Sequence, residues 1–421
     1  MQRVLNEMEF VLYTMGQPNN IAVVVTLRGK VTTVALQNAL KKLQTRHPLL
    51  SVKVVCDNQG LPWFYPIEVT EIPLRVIPPG ASDLSIRLLE EELSTPFKME
   101  GPLPLLRVIL LTTPNPQLIF CMPHIICDGI SYAFLIRDLL SVLAEPEVDL
   151  PRLPVMEHLS WAMPENIARK IPKTSRRFNC FFFMVKLLHG FKRRKSIKIF
   201  PKIPQNRDRS YKIHTWTLSP EQTAKLIARC KQERVSVHSA LCTAFLPFNS
   251  VISSPVNLRN RLSEPVGESL GFFVGSAVVN MKFDPNKTFW ANARHYHQKM
   301  RKQLQDKKVF WMYTIMSKAV PIPDIQRFGT LFIDLATSKV PFEITNLGDM
   351  DRLGIPTSAG TYRLESFIGG VSGAIEGVSI SIYTIMKELH FHINYRAYMV
   401  EEWDFPKIAS TAMETLTQAL I

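Results

Sequence analysis

The six cysteines of this 421-residue chain form no CxxC pair, and no group of Cys and His has the spacing of zinc ligands. Most of them lie in apolar stretches, where a free cysteine behaves as a small hydrophobic side chain. The sequence therefore predicts no metal site of this kind and favours a reducing compartment. The cysteines are Cys56, Cys121, Cys127, Cys180, Cys230 and Cys242.

Two other features are missing, a signal peptide and a membrane-spanning run. The N-terminus, MQRVLNEMEF, lacks the basic start and apolar run of a secretion signal. The longest apolar run, near FFFMVKLLHGF, is too short and too interrupted to span a bilayer, which needs about 20 residues. These absences predict a cytoplasmic protein.

Acidic residues are absent from residues 166–207, which hold 13 of the 50 Lys and Arg. The other 37 basic residues nearly balance the 36 acidic residues of the chain, so this segment carries almost all of the formal charge of +14. A protein that binds nucleic acid would show a broader basic face and a recognisable motif. We therefore expect no nucleic-acid partner.

The composition suits two hydrophobic cores, since hydrophobic residues make up 46% of a long chain. Strand-like and helix-like patterns alternate on both sides of a proline-rich stretch. The sequence predicts an α/β fold with an N-terminal domain over residues 1–165, a basic linker over 166–207 and a C-terminal domain over 208–421. The predicted strands are 21–28, 51–55, 105–111, 117–122 (a hairpin with the preceding one), 213–218, 340–346, 377–386 and 388–395, and the main predicted helices are 31–46, 130–143, 219–230, 289–304 and 405–420.

The stretch MPHIICDGIS, residues 122–131, places a single histidine between a predicted strand and a predicted helix. Histidine titrates near neutrality and can take a proton from an alcohol, and reactive side chains are often mounted at the loop ends of a sheet. Asp-Gly is also a common turn pair, and Gly129 offers freedom for an unusual backbone angle. Spacing alone does not decide whether His124 is a general base or a packed side chain.

HIICDG resembles the HxxxDG signature of the acyltransferase superfamily that includes chloramphenicol acetyltransferase, plant-type alcohol acyltransferases and nonribosomal peptide condensation domains. The opening RVLNEMEFVLY, with the later RHPLL, resembles the family's first strand and helix. PVNLRNRL, FEITNLGDM and HFHINY resemble its Asn/Asp-Leu-Arg segment, its Asn-x-Gly stretch and its late strand. The resemblance covers residues 3–405. It is strongest to standalone polyketide-associated acyltransferases of the phthiocerol dimycocerosyl transferase type and to alcohol acetyltransferases.

Two departures from the family pattern narrow the resemblance. Many condensation domains carry two adjacent histidines, and the first position is Pro123 here, whereas the second, catalytic in the family, is retained. The DFGWG motif of plant-type alcohol acyltransferases is absent, which argues against that branch.

The resemblance implies two chloramphenicol-acetyltransferase-like domains in a V with a channel between them, and His124 as the general base midway along it. It implies that Asp128 binds an arginine and holds the loop rather than serving the histidine. Arg259 of the NLR segment is the expected partner, with Arg261 as its rival.

Two further residues follow from the same resemblance. Gly129 is a candidate backbone donor to the oxyanion of the reaction. Asn346 is a candidate channel residue from the second domain.

The implied reaction moves an acyl group from coenzyme A or a phosphopantetheinyl acyl carrier protein to an alcohol, with no bound cofactor and no metal. The thioester is a donor substrate, and a monomer of secondary metabolism or lipid biosynthesis is expected. Amide formation, as in condensation domains, is one alternative. A catalytically silent member that binds a carrier protein or a membrane is another, which the intact HxxxDG opposes.

The most individual segment is NCFFFMVKLLHGFKRRK, within residues 169–198, where aromatic residues lie between basic clusters. One interpretation is a linker helix that buries its aromatics and leaves its lysines in water. Others are an interfacial anchor on anionic lipid, or a dock for an acidic carrier protein or for the phosphates of coenzyme A. The role of residues 180–195 is therefore open, and the protein could be peripheral to a membrane.

Overall fold

The computed structural model describes residues 2–420 apart from 15, 69–70, 156–162, 169–207, 311–312, 314–341, 357, 374–376 and 402. Within these, the strands are β1 Arg3–Val4, β2 Asn20–Arg28, β3 Val52–Cys56, β4 Pro62–Pro66, β5 Leu74–Ile77, β6 Arg107–Leu111, β7 Gln117–Pro123, β8 Tyr211–Leu218, β9 Val251–Asn257, β10 Val274–Asn280, β11 Phe342–Asp349, β12 Ser358–Ala359, β13 Tyr362–Val371, β14 Val378–Ile385 and β15 Glu388–Arg396. The helices are α1 Glu7–Thr14, α2 Thr33–Arg46, α3 Leu84–Ser94, α4 Gly129–Ala144, α5 Glu165–Ala168, α6 Pro220–Gln232, α7 Val237–Phe245, α8 Phe289–Gln303, α9 Asp306–Val309 and α10 Phe405–Gln418.

The first large sheet has the strand order β12-β13-β2-β7-β6-β5. Its pairs are antiparallel except β5 with β6, and β6 and β7 form the hairpin predicted from the sequence, with Arg107 opposite Cys121. Strand β2 is buried along almost its whole length, as is usual for a strand covered on both faces. A small sheet, β1-β4-β3, lies beside it in the first half of the chain.

The second large sheet has the order β10-β9-β11-β14-β15-β8. Strand β11 is parallel to both of its neighbours, β9 and β14, whereas the outer pairs are antiparallel. Each large sheet contributes to its own hydrophobic core. The predicted α/β class with mixed sheets and flanking helices is confirmed.

One connection joins the two halves of the chain. Strands β12 and β13, residues 358–371, come from the second half of the sequence but pair within the first sheet, where β13 runs antiparallel to β2. The next strand, β14, returns to the second sheet. The division of the chain at residues 166–207 stays a prediction, and the first sheet contains strands from both sides of it.

Helix starts follow their local sequence. Ser219 caps α6 through a capping box with Gln222, the arrangement predicted from Ser-Pro-Glu-Gln. Thr32 accepts from the N–H of Ala35 and caps α2, which ends at Arg46 immediately before His47-Pro48.

Candidate functional site

His124 lies directly after the end of β7, where Pro123 still pairs with Asn20 of β2. Its backbone N–H donates to the carbonyl of Asn19 over 2.7 Å, and the chain then turns through a bond from the N–H of Ile126 to the carbonyl of Pro123. The central strand pair of the first sheet therefore fixes the position of the histidine backbone.

The hydrogen bond of the imidazole determines which nitrogen is free. Nδ1 of His124 lies 2.7 Å from the carbonyl oxygen of Cys127. A carbonyl oxygen can only accept, so Nδ1 must carry the proton of the neutral ring. The lone pair is then on Nε2, which is the arrangement that a general base requires.

The ring of His124 is half-buried and meets the edge of Phe272, with ring centroids 5.0 Å apart. Burial lowers the pKa of His124 from its ordinary value, although the hydrogen bond to Cys127 and the charge of Asp128 act in the opposite direction. The neutral, proton-accepting form therefore dominates at neutral pH.

Asp128 caps α4 and uses both carboxylate oxygens away from the imidazole. Oδ1 accepts from the N–H of Ser131 (2.8 Å) and from its hydroxyl (2.9 Å). Oδ2 accepts from Nη1 of Arg259 (2.6 Å) and from the N–H of Phe273 (3.1 Å). Burial raises the pKa of Asp128, but Arg259 and Ser131 outweigh it, so the pKa lies below its ordinary value.

Arg259 reaches Asp128 across 131 positions of sequence and is itself 9% exposed. Its guanidinium lies over the ring of Phe273 at 4.4 Å and also donates to Ser131 Oγ (3.1 Å). Arg261, the rival candidate, instead pairs with Asp306 at 2.7 Å. The structure thus brings together Asp128 and the arginine expected from the NLR segment.

Gly129 is the first residue of α4, and its φ is not in the left-handed region, so the conformational freedom of glycine is not used there. The reason for glycine is space: a Cβ at this position would lie 2.6 Å from Cδ2 of Leu347. Its N–H belongs to the first helical turn, where donors lack intrahelical partners. Leu347 belongs to β11, so the second sheet closely approaches the start of α4.

Asn346 directly precedes Leu347 in β11 and is half-buried. Its Oδ1 accepts from the N–H of Gly348 (2.8 Å), at a point where the register of β11 with β14 shifts. The side chain therefore shapes the bend of its own strand, and its neighbour Leu347 makes the contact with Gly129.

A second ionic cluster binds α4 to the segment after Arg259. Arg46 donates to Asp138 (2.5 Å) and to Glu268 (2.6 Å), and Arg137 makes two bonds of 2.6 Å to the same Glu268. His47 of RHPLL contacts Asp138 at 3.0 Å. The RHPLL segment thus helps to hold the second half of the chain against α4.

Sequence reasoning did not find three of these residues. Phe272 contacts the imidazole, Ser131 joins Asp128 to Arg259, and Glu268 joins the two halves. The only local signal was the run LGFFVG, in which two aromatic residues lie between glycines. Phe272 and Glu268 have partners more than 100 positions away, and so does Ser131 in its contact with Arg259, so no local pattern could indicate these contacts.

Metal-binding and membrane-spanning features are both missing from the described part of the chain. It contains no group of three or more His, Cys, Asp or Glu arranged to hold a metal ion. No helix there has the length and apolar character needed to cross a membrane. The basic aromatic segment, residues 180–195, lies outside the described residues, so its interpretations stay predictions.

The Condensation domain family model matches residues 12–319, and the chain belongs to that family. A component of the plipastatin synthase of Bacillus subtilis (strain 168) is 25% identical over 295 residues, 65% of this chain and 11% of that protein. A component of the linear gramicidin synthase of Brevibacillus parabrevis is 27% identical over 297 residues, 64% of this chain and 6% of that protein. The chain therefore spans a small part of the length of these curated relatives.

Solved structures show the same fold over the whole chain. Polyketide synthase associated protein 5 from Mycobacterium tuberculosis has a TM-score of 0.66 at 17% identity, over 99% of this chain and 98% of that chain. Trichothecene 15-O-acetyltransferase from Fusarium sporotrichioides has a TM-score of 0.70 at 13% identity, over 100% and 95%. The first condensation domain of the CDA synthetase has 0.71 at 13% identity, over 100% and 96%.

These comparisons confirm the acyltransferase superfamily inferred from HxxxDG and its accompanying segments. The family match assigns the chain to the condensation-domain branch of that superfamily.

Proposed function

We propose that the protein transfers an acyl group from a coenzyme A or carrier-protein thioester to an alcohol, with His124 as the general base. The observation that carries this proposal is the hydrogen bond from Nδ1 to Cys127, which leaves the lone pair on Nε2. Burial keeps the ring unprotonated at neutral pH, so the base is ready without a prior loss of a proton.

The chemistry needs few groups. Nε2 removes the proton of the acceptor hydroxyl as its oxygen attacks the thioester carbonyl, and a tetrahedral oxyanion forms. This intermediate collapses, the carbon–sulfur bond breaks, and the thiolate takes the proton from the imidazolium. General base catalysis of this kind contributes about 10²–10⁴-fold, and holding two substrates together contributes more.

The neighbouring residues support this role. The N–H of Gly129, at the N-terminus of the 16-residue helix α4, is the donor we assign to the oxyanion, since helix N-termini stabilise negative charge. Asp128 and Arg259 position the loop and do not exchange protons with the substrate. Asn346 is assigned to the lining of the substrate channel, and no bound cofactor or metal takes part.

The distinction between ester and amide products decides the acceptor class. The likeness to an O-acetyltransferase favours the ester, whereas the family match, which includes components of peptide synthetases, favours the amide as the second candidate. Acyl-CoA and acyl-pantetheine thioesters would be offered with alcohols and with amines of the same carbon skeleton, and products identified by mass. We expect esters, and formation of amides alone would replace the proposal with the second candidate.

The donor is tested in the same assay. Equal turnover with free acyl-pantetheine and with acyl-CoA would indicate that the nucleotide is not recognised, which is expected for a carrier-protein donor. A strong preference for acyl-CoA would assign coenzyme A as the donor.

A further inference from the structure

The second sheet has one apolar face that packs against helices and an opposite face of mixed character. Ile252, Ile344, Ile380 and Ile393 point to the side on which helices α6, α7, α8 and α10 pack, and all four belong to the second hydrophobic core. Because side chains alternate along a strand, the residues next to them point to the opposite face. That face carries a line of polar side chains across the middle of the sheet.

Four of these side chains stand in register on adjacent strands. Ser253 of β9 pairs with Glu343 of β11, Glu343 pairs with Ser379 of β14, and Ser379 pairs with Asn394 of β15. Neighbouring strands are about 4.8 Å apart, so the row spans roughly 14 Å. We refer to Ser253, Glu343, Ser379 and Asn394 as the polar row.

The polar row has unused hydrogen-bonding capacity. Among the described residues, Ser379 Oγ and Asn394 Oδ1 are buried and have no hydrogen-bond partner. Buried polar atoms in proteins are normally paired, and an unpaired one indicates a missing ligand or water. Two orphaned oxygens in one row therefore point to a bound group that the row is built to receive.

Glu343 occupies the centre of this row. It is half-buried, and burial is the influence that raises the pKa of its carboxyl to about 7; no described cation offsets it. A carboxylate in such a place is costly unless an opposite charge is close. A cationic ligand would supply that charge.

The polar row leads toward the candidate active site. Oδ1 of Asn394 lies 2.6 Å from the point where a Cβ of Gly370 would be, so it abuts β13 of the first sheet. Gly370 pairs with Ala22 of β2, and two residues earlier in that strand Asn20 pairs with Pro123, the neighbour of His124. One end of the row thus contacts the first sheet at β13, and β2 lies between β13 and β7, the strand that leads to His124.

We propose that the polar row binds a protonated amine of the acceptor substrate, so that the alcohol acylated at His124 also carries an ammonium group. The row presents a carboxylate and an amide oxygen as acceptors and serine hydroxyls as adaptable partners, and an ammonium supplies only donors. This inference rests on the proposed transfer to an alcohol and adds the chemical class of the acceptor.

The test compares two alcohols of the same shape, one ending in a dimethylammonium group and the other in an isopropyl group. The tertiary amine keeps its charge and cannot be acylated to a stable amide, so both substrates report ester formation. We expect wild-type KM for the charged alcohol to be about 10- to 100-fold lower, the range of a charge-assisted hydrogen bond. Glu343→Gln keeps the size of the side chain and should remove this preference, so that its KM values for the two alcohols become equal.

Glu365→Gln is the matched control, because Glu365 pairs with the exposed Arg28 at the end of β2. It should keep the preference for the charged alcohol. Equal KM values of wild type for the two alcohols would overturn the inference. So would a preference for the charged alcohol that survives Glu343→Gln. Failure of wild type to acylate even the neutral alcohol would count against the proposed function instead. Calorimetric titration of the charged alcohol into wild type and into Glu343→Gln would then test the row alone. Equal affinities of the two proteins would refute the inference.

Discussion

His124 combines a fixed tautomer with a lowered pKa, and both follow from its place at the end of β7. The carbonyl of Cys127 keeps the proton on Nδ1, and burial disfavours the imidazolium. A base of this kind should lose activity only when acid protonates Nε2. Because the pKa lies below the ordinary value of about 6.5, the loss is centred below that pH.

The pH dependence of kcat/KM tests this point. We expect a plateau through neutral pH and a decline on the acid side with an apparent pKa below about 6.5, since only the neutral ring accepts a proton. The measurement is kcat/KM for one thioester and one alcohol between pH 5 and 8. An acid limb centred above pH 7 would show that a different group is the base.

Asp128 and Arg259 form a buried ion pair, and breaking one side of such a pair leaves an uncompensated charge. Asp128→Asn retains the size of the side chain but removes the charge facing Arg259. We expect a loss of about 3–5 kcal/mol in the free energy of unfolding, measured by urea titration.

Asp306→Asn is the control for this substitution, because Asp306 holds Arg261 in a more exposed pair. Exposed pairs contribute about 0–1 kcal/mol, so the control should change stability little. Equal effects of the two substitutions would contradict the buried role assigned to Asp128.

Among the helices and strands, α4 makes the ionic contacts that attach the second half of the chain to the first. Its N-terminus holds Arg259 through Asp128, and its middle holds Glu268 through Arg137. The segment that follows Glu268 includes Phe272, which contacts the imidazole. The ionic contacts of α4 therefore determine where one wall of the histidine environment lies.

A double-mutant cycle between Arg137→Gln and Glu268→Gln tests this attachment. The two side chains make a bidentate pair and share Arg46 and Asp138 as neighbours, so their effects on unfolding should not add. We expect a coupling of about 0.5–3 kcal/mol from urea unfolding of the four proteins. Additive effects would mean that the pair does not hold the halves together.

Elements with a strong local signal were predictable, and elements defined by distant partners were not. Strand β2 and the β6–β7 hairpin are continuous apolar runs, and α6 begins with a capping box. Strand β13 reads YRLESFIGGV, mixes polar residues with two glycines and shifts register against β2. Helix α3 carried a usable signal, since Leu88, Leu89 and Leu93 are buried on one face.

The site was predicted only as far as sequence motifs extend. His124, Asp128 and Arg259 came from segments that resemble a known family, and the structure places the last two in contact. Phe272 and Glu268 act through partners more than 100 positions away, which local physics cannot indicate. Glu343 is an ordinary residue in sequence and becomes notable only through the strands beside it.

For the whole molecule, buried histidines make stability depend on pH. Burial lowers the pKa of His124, of His238 to about 4 and of His392 to about 3. In the unfolded chain these rings titrate near 6.5, so the unfolded state binds more protons below that pH and stability falls. Glu343 acts in the opposite direction between its ordinary pKa of 4.5 and about 7, because its carboxyl binds a proton more tightly in the folded state, but the buried histidines outnumber it.

We therefore expect the free energy of unfolding to decrease as the pH falls from about 7 to about 5. Urea titrations at the two pH values measure it. His392→Gln should weaken the dependence, because that ring lies between Tyr383 and Gly369 and must stay neutral there. Stability that is constant or rises on acidification would contradict this account.

The central claim is that Nε2 of His124 removes the acceptor proton, and acceptor-dependent release of thiol measures it most directly. Wild type and His124→Gln would be compared with one acyl thioester and one alcohol, after equal thermal stability has shown that both are folded. The account predicts that the variant is slower by about 10²–10⁴-fold in kcat. Thiol release at equal rates from the two proteins would contradict it.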